Sequence, residues 1–204
     1  MPRPKVPLLS TDRIAAAALE LVDSGEPFGV NALARRLGVT PSSLYNHVDG
    51  REQIIELIRG RLGAQYLPDL PGGTWDQVVS ATMRAMRRMY ADHPNAVPLI
   101  VGKTITDPSV IASYDNLTSA LLGAGFPDDE VLVVVAILDS FALGFGLDLA
   151  SPDDIWQPET PTASLGRLVA SAERGVERSD RAFELGLELI LDALRLRLAR
   201  YQAD

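Results

Sequence analysis

Between Thr40 and Arg51 the chain reads Thr-Pro-Ser-Ser-Leu-Tyr-Asn-His-Val-Asp-Gly-Arg. At about 100° per residue, Leu44 and Val48 share one side of a helix with Pro41 close by, while Ser42 and Asn46 point away from them. Ser43 and Tyr45 flank the outward face, and His47 falls nearer the buried edge. Hydroxyls, an amide and a phenol do not build a core. They are the groups that read base edges and grip phosphates, with the Asn amide matched to adenine N6 and N7. Arg51, at the start of a following helix, adds a cation beside unpaired backbone N–H groups, a combination suited to a phosphate.

Such a face needs a scaffold, and the flanking residues supply one. Leu33 and Leu37 lie four apart on a helix expected to start at Asn31 as N-cap and to stop at Gly38. Gly38-Val39-Thr40 is then the turn, and Thr40 caps a second helix with Pro41 at its first position, where the missing N–H costs nothing. That helix is expected to run to His47 or Val48. Asp49 with Glu52 predicts a capping box for a third helix, with Ile54, Ile55, Ile58 and Leu62 on its buried side. Two short helices at a sharp corner read as a helix-turn-helix; a plain αα-hairpin is the alternative.

The run "LGVTPSSLYNHVDGREQI", preceded by "STDRIAAAALELVDSG" and "EPFGVNALARR", resembles the DNA-binding domain of the tetracycline-repressor (TetR) family of bacterial transcriptional regulators. The resemblance covers residues 10 to about 60, and Leu44-Tyr45-x-His47 followed by a capped helix is its most specific part. It implies a recognition surface of Thr40, Pro41, Ser42, Ser43, Tyr45 and Asn46, with Tyr45 and His47 reaching the DNA backbone and Arg51 in the place of a phosphate-contacting residue. At Asn46 the family often carries an aromatic or basic residue, so base preference there is this chain's own.

A chain of 204 residues with 47% hydrophobic content suits a small N-terminal unit, residues 1–60, and a larger domain, residues 61–204. It has no cysteine, which excludes disulfides, thiolate metal sites and cysteine nucleophiles and is compatible with a cytoplasmic location. No signal peptide is visible at Met1 to Leu9. The net charge of −8 opposes DNA binding until its distribution is considered. Residues 1–60 hold seven Lys/Arg and seven Asp/Glu; residues 61–204 hold twelve and twenty. The first part is neutral, with Arg3, Lys5, Arg35, Arg36 and Arg51 in the tail and around the helix-turn-helix.

The remainder reads as helices, giving an all-α chain. One follows Thr74 with Trp75, Val79, Thr82, Met86 and Tyr90 on a stripe; a short piece covers Val97 to Val101; another opens with Asp107 as cap and carries Val110, Tyr114, Leu117 and Leu121. A short helix is expected from Ala163 to Glu173. Ser179 is expected to cap the last helix, with one stripe through Phe183, Leu187, Ile190, Leu194 and Leu198 and a second through Leu185, Leu189 and Leu196. "Trp75 … His93-Pro94 … Gly125-Phe126-Pro127 … Gly144-Phe145-Gly146" is similar to the all-α C-terminal domain of tetracycline-repressor-like proteins.

Residues 131–147 carry one charge, Asp139. A membrane span would place Asp139 near the midplane and lacks basic or aromatic anchors, so burial against a second copy is preferred. With the doubly striped last helix this gives a homodimer through helices 128–149 and 180–201, as the family implies, and a near-palindromic operator with recognition helices a whole number of turns apart. Asp139 either pairs with an arginine of the helix carrying Arg84, Arg87 and Arg88 or faces a ligand. Candidate effector contacts are Met86, Tyr90, Leu99, Tyr114, Leu117, Leu121, Asp139 and Phe145, although such a stripe is also ordinary core. No catalytic motif is present, and with His47 and His93 as the two histidines neither a histidine triad nor a metal site is expected, nor any cofactor. The expectation is a repressor released from double-stranded operator DNA by a small molecule, through a shift of the helix from Asp49 to Tyr66 that the resemblance implies. The alternative is a constitutive dimeric DNA-binding protein without inducer.

Overall fold

The computed structural model describes residues 9–68 and 72–203; Arg3 and Lys5 lie outside them. Every regular element among the described residues is helical: α1 Thr11–Asp23, α2 Val30–Leu37, α3 Pro41–Tyr45, α4 Arg51–Tyr66, α5 Trp75–Asp92, α6 Val97–Ile100, α7 Pro108–Ala124, α8 Asp128–Asp148, α9 Ser164–Ser171 and α10 Gly175–Tyr201. The chain forms two compact units, residues 1–69 with 92–115 and residues 70–91 with 116–204. The first therefore takes in α6 and the start of α7 beside α1 to α4.

In the first unit α1 begins at Ser10, whose Oγ accepts from Arg13 N–H at 3.2 Å, and buries Ile14, Ala18, Leu19, Leu21 and Val22 against α4 and α2. α2 starts at Val30 with Gly29 as its N-cap, two residues ahead of the expected Asn31, because Leu33 N–H already reaches the Gly29 carbonyl at 3.0 Å. It ends at Gly38, whose φ of 69° is left-handed and favours glycine. Thr40 caps α3, with Oγ1 accepting from Ser43 N–H at 3.2 Å and Pro41 in the first turn.

Two start and stop signals differ from expectation. α3 closes at Tyr45, short of His47, where His47 N–H turns back three residues to the Leu44 carbonyl at 2.8 Å. α4 has no Asp49–Glu52 box. Gly50, at φ 145°, is its N-cap without a side-chain bond, and Gln53 rather than Glu52 accepts from Asp49 N–H, at 2.5 Å.

The second unit packs α5, α7, α8 and α10 around Val79, Met83, Leu117, Leu121, Leu138, Phe183 and Leu187. Close approach is permitted by Gly146, where a Cβ would meet Tyr90 Cβ at 2.5 Å and the Arg87 carbonyl at 3.2 Å, and by Gly186 beneath Phe141. Trp75, Phe126 and Tyr201 stack edge to face at 5.5 and 6.4 Å, bringing together the separated Trp and Gly-Phe-Pro features. α10 begins at Gly175, not after Ser179. Ser179 is fully buried inside the helix, where its hydroxyl accepts from the Arg87 guanidinium at 3.0 Å, so it is not available to cap.

Candidate nucleic-acid interface and effector domain

Leu44 and Val48 hold α3 in place with 0% and 2% of their surface exposed. Thr40, Pro41, Ser42, Tyr45, Asn46 and His47 are exposed and Ser43 is half-buried. Two of these placements differ from the helical projection. Pro41 is exposed rather than close to the core, and His47 is exposed because α3 has ended before it, so the 100° step no longer applies. The Thr40 and Ser43 hydroxyls bond each other at 2.9 Å, whereas Ser42, Tyr45 and Asn46 are exposed. Arg36 is held by Glu20 at 3.1 Å, which removes one cation from those expected around the corner.

Arg51 opens α4. Its guanidinium lies 5.2 Å from the centre of the Phe28 ring, and one of its nitrogens is 3.7 Å from Glu52 Oε1. A cation over an aromatic face keeps its N–H edge free for an anion. Spacing does not point to Phe28, which lies in the loop before α2, twenty-three positions from Arg51.

One further face of α4 carries Glu52, Glu56, Arg59, Gly60 and Gly63, four, three, one and three residues apart. Glu56 accepts from Thr106 N–H at 2.8 Å, Thr106 Oγ1 at 3.1 Å and Asp107 N–H at 3.2 Å. Arg59 donates to Glu56 at 2.8 Å and to the carbonyls of Ile100 at 2.9 Å and Lys103 at 3.5 Å. Burial pushes the Glu56 carboxyl up, but the Thr106 and Arg59 hydrogen bonds and the Arg59 charge together hold it below the usual carboxylate range. Gly60 and Gly63 let the loop close in, with a Cβ at Gly60 falling 2.1 Å from Asp107 Oδ2. The segment from Ile100 to Asp107 is thus fixed to the helix that carries Arg51.

The candidate effector contacts divide between the units. Leu99 and Tyr114 belong to the first; Met86, Tyr90, Leu117, Leu121, Asp139 and Phe145 belong to the second. Met86, Leu117 and Leu121 are buried and the others half-buried. Phe145 sits in an aromatic cluster with Phe141 at 4.9 Å and Phe183 at 5.7 Å. Arg84 forks onto Glu184 at 2.9 and 2.6 Å, and Arg87 bonds Asp180 at 2.8 Å and lies 4.7 Å over Phe183. Of the three arginines Arg84, Arg87 and Arg88, the first two thus bond carboxylates of α10. Burial raises the Asp148 carboxyl, yet bonds from Ser179 and Arg178 outweigh it and leave Asp148 below its usual range.

Known proteins place this architecture. Residues 67–198 match the family described as "Tetracyclin repressor-like, C-terminal domain". An HTH-type transcriptional regulator of Saccharopolyspora erythraea is 31% identical over 163 residues, 78% of this chain and 67% of that protein. The HTH-type transcriptional repressor DrrR1 of Streptomyces coeruleorubidus is 22% identical, over 97% of this chain and 82% of its own length. Among solved structures, ActR of Streptomyces coelicolor superposes with a TM-score of 0.78 at 24% identity, covering 96% of this chain and 99% of that one, and the same protein has been solved in complex with actinorhodin. The chain belongs to the tetracycline-repressor family and is a DNA-binding transcriptional regulator.

Proposed function

We propose that the chain is a cytoplasmic homodimeric repressor that leaves a near-palindromic operator when a small molecule binds, with residues 1–60 on DNA and residues 61–204 taking effector and partner. The observation that carries this is the α2–α3 corner, where Leu44 and Val48 are sealed while Ser42, Tyr45, Asn46 and His47 stand in solvent. The recognition surface is Thr40, Pro41, Ser42, Ser43, Tyr45 and Asn46, with Tyr45 and His47 reaching the DNA backbone and Arg51 a phosphate.

The partner reading is supported by α8 and α10. α8 is long and apolar enough to cross a membrane by length and composition. One of its faces, however, packs in the second unit through Val131, Val134, Leu138 and Ala142, while Leu132, Val133 and Ile137 are exposed beside the exposed row Leu185, Leu189 and Leu196 of α10. Two apolar rows uncovered in one chain fit a second copy related by a two-fold axis. For the effector, Met86, Tyr90, Leu117, Leu121, Asp139 and Phe145 are the contacts within the second unit, and the ActR complex with actinorhodin shows that a protein of this fold takes a small molecule.

Selection of genomic fragments with the purified dimer, then a thermal-shift screen whose hits are tested for operator release, checks the proposal. Recovery of paired half-sites and of a compound that both stabilises the free protein and releases DNA supports it. Leu117→Trp should abolish both effects of that compound and spare operator binding. A response untouched by Leu117→Trp removes the effector site from this region, and a screen without any releasing compound favours the constitutive protein.

A further inference from the structure

The loop between α6 and α7 brings a second cation to the position of Arg51. Lys103 Nζ lies 3.4 Å from Glu52 Oε2, and Arg51 Nη1 lies 3.7 Å from the other oxygen of the same carboxylate. Two positive charges therefore share one negative charge, and all three side chains are largely in solvent. The neighbouring carboxylates are turned inward: Glu56 onto Thr106 and Asp107 N–H, and Asp107 onto Ser109 and Val110 N–H at 2.9 and 3.2 Å. The exposed Asp49 precedes Gly50 on the same corner.

Lys103 is also held where it is. Its own carbonyl accepts from Arg59, and the residues on either side of it are tied to α4 through the Ile100 carbonyl and the Thr106 amide. Residues 92–115 belong to the same compact unit as α1 to α4. A lysine on an anchored loop loses little backbone freedom on meeting an anion.

From this geometry we infer that Lys103 is a DNA-backbone contact, taking a phosphate neighbouring the one taken by Arg51, although it lies fifty-two residues beyond Arg51 in the chain. The inference rests on the DNA-binding reading of α3 and α4. Glu52 holds the two cations apart and aligned in the free protein; on DNA the phosphates replace it as their partner. Each cation so engaged adds to the counterions released on binding.

The measurement is the salt dependence of binding to a fluorescein-labelled random-sequence duplex, between roughly 50 and 200 mM salt, where log affinity falls with log salt by about 0.9 for each phosphate neutralised. Lys103→Ala should lower the magnitude of the slope by about 0.9 per protomer engaged, add to the loss from Arg51→Ala, and be restored by Lys103→Arg. The same substitution is made in a Glu52→Gln background. If Lys103 only screens Glu52, Lys103→Ala has no effect there and the inference is overturned; a slope loss in both backgrounds supports it. An unchanged slope in Lys103→Ala, with an unchanged thermal melt, overturns it as well. Failure of the wild-type protein to bind any duplex is the separate result that removes the DNA-binding reading beneath it.

Discussion

Around α3, Leu44 and Val48 anchor the corner and every exposed neighbour except Pro41 has a polar group; on α8, Val131, Val134 and Leu138 are buried, and the large exposed side chains include Leu132, Val133 and Ile137, with Leu132 71% exposed. Both are surface helices of one chain, and both bury a narrow stripe. On the proposed reading, their outer faces differ because each face is complementary to a different partner. Polar groups left in water keep their solvation until base edges or phosphates replace it, and cost the folded chain little. An exposed Leu or Ile forgoes about 1.5 to 3 kcal/mol of burial that a partner would return. Where a helix is polar outside, its partner must be polar and positioned; where it is apolar outside, the partner need only be apolar and shaped.

Charging the apolar face is the severest test of that contrast. Val133→Glu with Ile137→Glu should leave the helical content unchanged, since both side chains are exposed, and should give a monomer in sedimentation velocity. A monomer holds one half-site, so affinity for the selected operator should fall toward the nonspecific level, by about 10³-fold or more. A dimer that survives both charges would show that α8 does not carry the contact.

The inner face of the same helix can be separated from the outer one by two glycines. Gly146→Ala drives a methyl toward Tyr90 Cβ and the Arg87 carbonyl, neither of which is a flexible side-chain end, and should destabilise the fold by about 1 to 3 kcal/mol in denaturant melts. At Gly144 a Cβ meets nothing within 4 Å. Gly144→Ala, measured in the charged monomeric background, should instead gain up to about 1 kcal/mol from helix propensity. Equal effects of the two substitutions would mean that α8 is not seated on α5 through Gly146.

Much of this organisation is readable in residue order. Gly38 and Pro41 mark the corner, and the two stripes of α10 separate into the buried Phe183 and Leu187 and the exposed Leu185 and Leu189. What escapes depends on partners remote in sequence or on the end of a periodicity. Ser179 has the chemistry of a cap, yet its hydroxyl belongs to Arg87, ninety-two residues away. Glu56 looks like a solvated helix charge until Thr106 arrives fifty residues later. His47 lies two residues past the end of α3, where a helical angle no longer places its side chain. Asp49 N–H has two acceptors of equal side-chain length within reach in sequence, Glu52 and Gln53, and Gln53 takes the bond while the Glu52 carboxylate faces Arg51 and Lys103.

A smaller effect sharpens the polar side of the contrast. Asn46→Ala should relax base preference at one position in each half-site and cost about 1 to 3 kcal/mol per contact on the best operator, read by repeating the fragment selection with the variant. Ser42 and Tyr45 keep the rest of the face, so operator binding persists. Identical selected sequences from variant and wild type would take Asn46 out of base readout.

The smallest effect concerns how α8 is joined to α10, independently of any partner. Glu130 in the first turn of α8 bonds the Arg197 guanidinium and the Tyr201 hydroxyl, and these two bonds, Arg197's first, lower its carboxyl from the ordinary 4.5 to about 2. The folded value lies below the unfolded one, so the contribution to stability is complete above about pH 4.5 and disappears as the pH falls toward 2. The pair is solvent-exposed, which limits the effect through screening. Glu130→Gln removes this titration, and its melting temperature should therefore decline less steeply than that of the wild type between those two pH values, while the two proteins differ by a constant amount near neutrality. High salt should shrink the difference. Parallel decline of both proteins across the whole acid range would show that Glu130 is not held by Arg197 and Tyr201 in solution, and that α8 is seated by Gly146 and its apolar inner face alone.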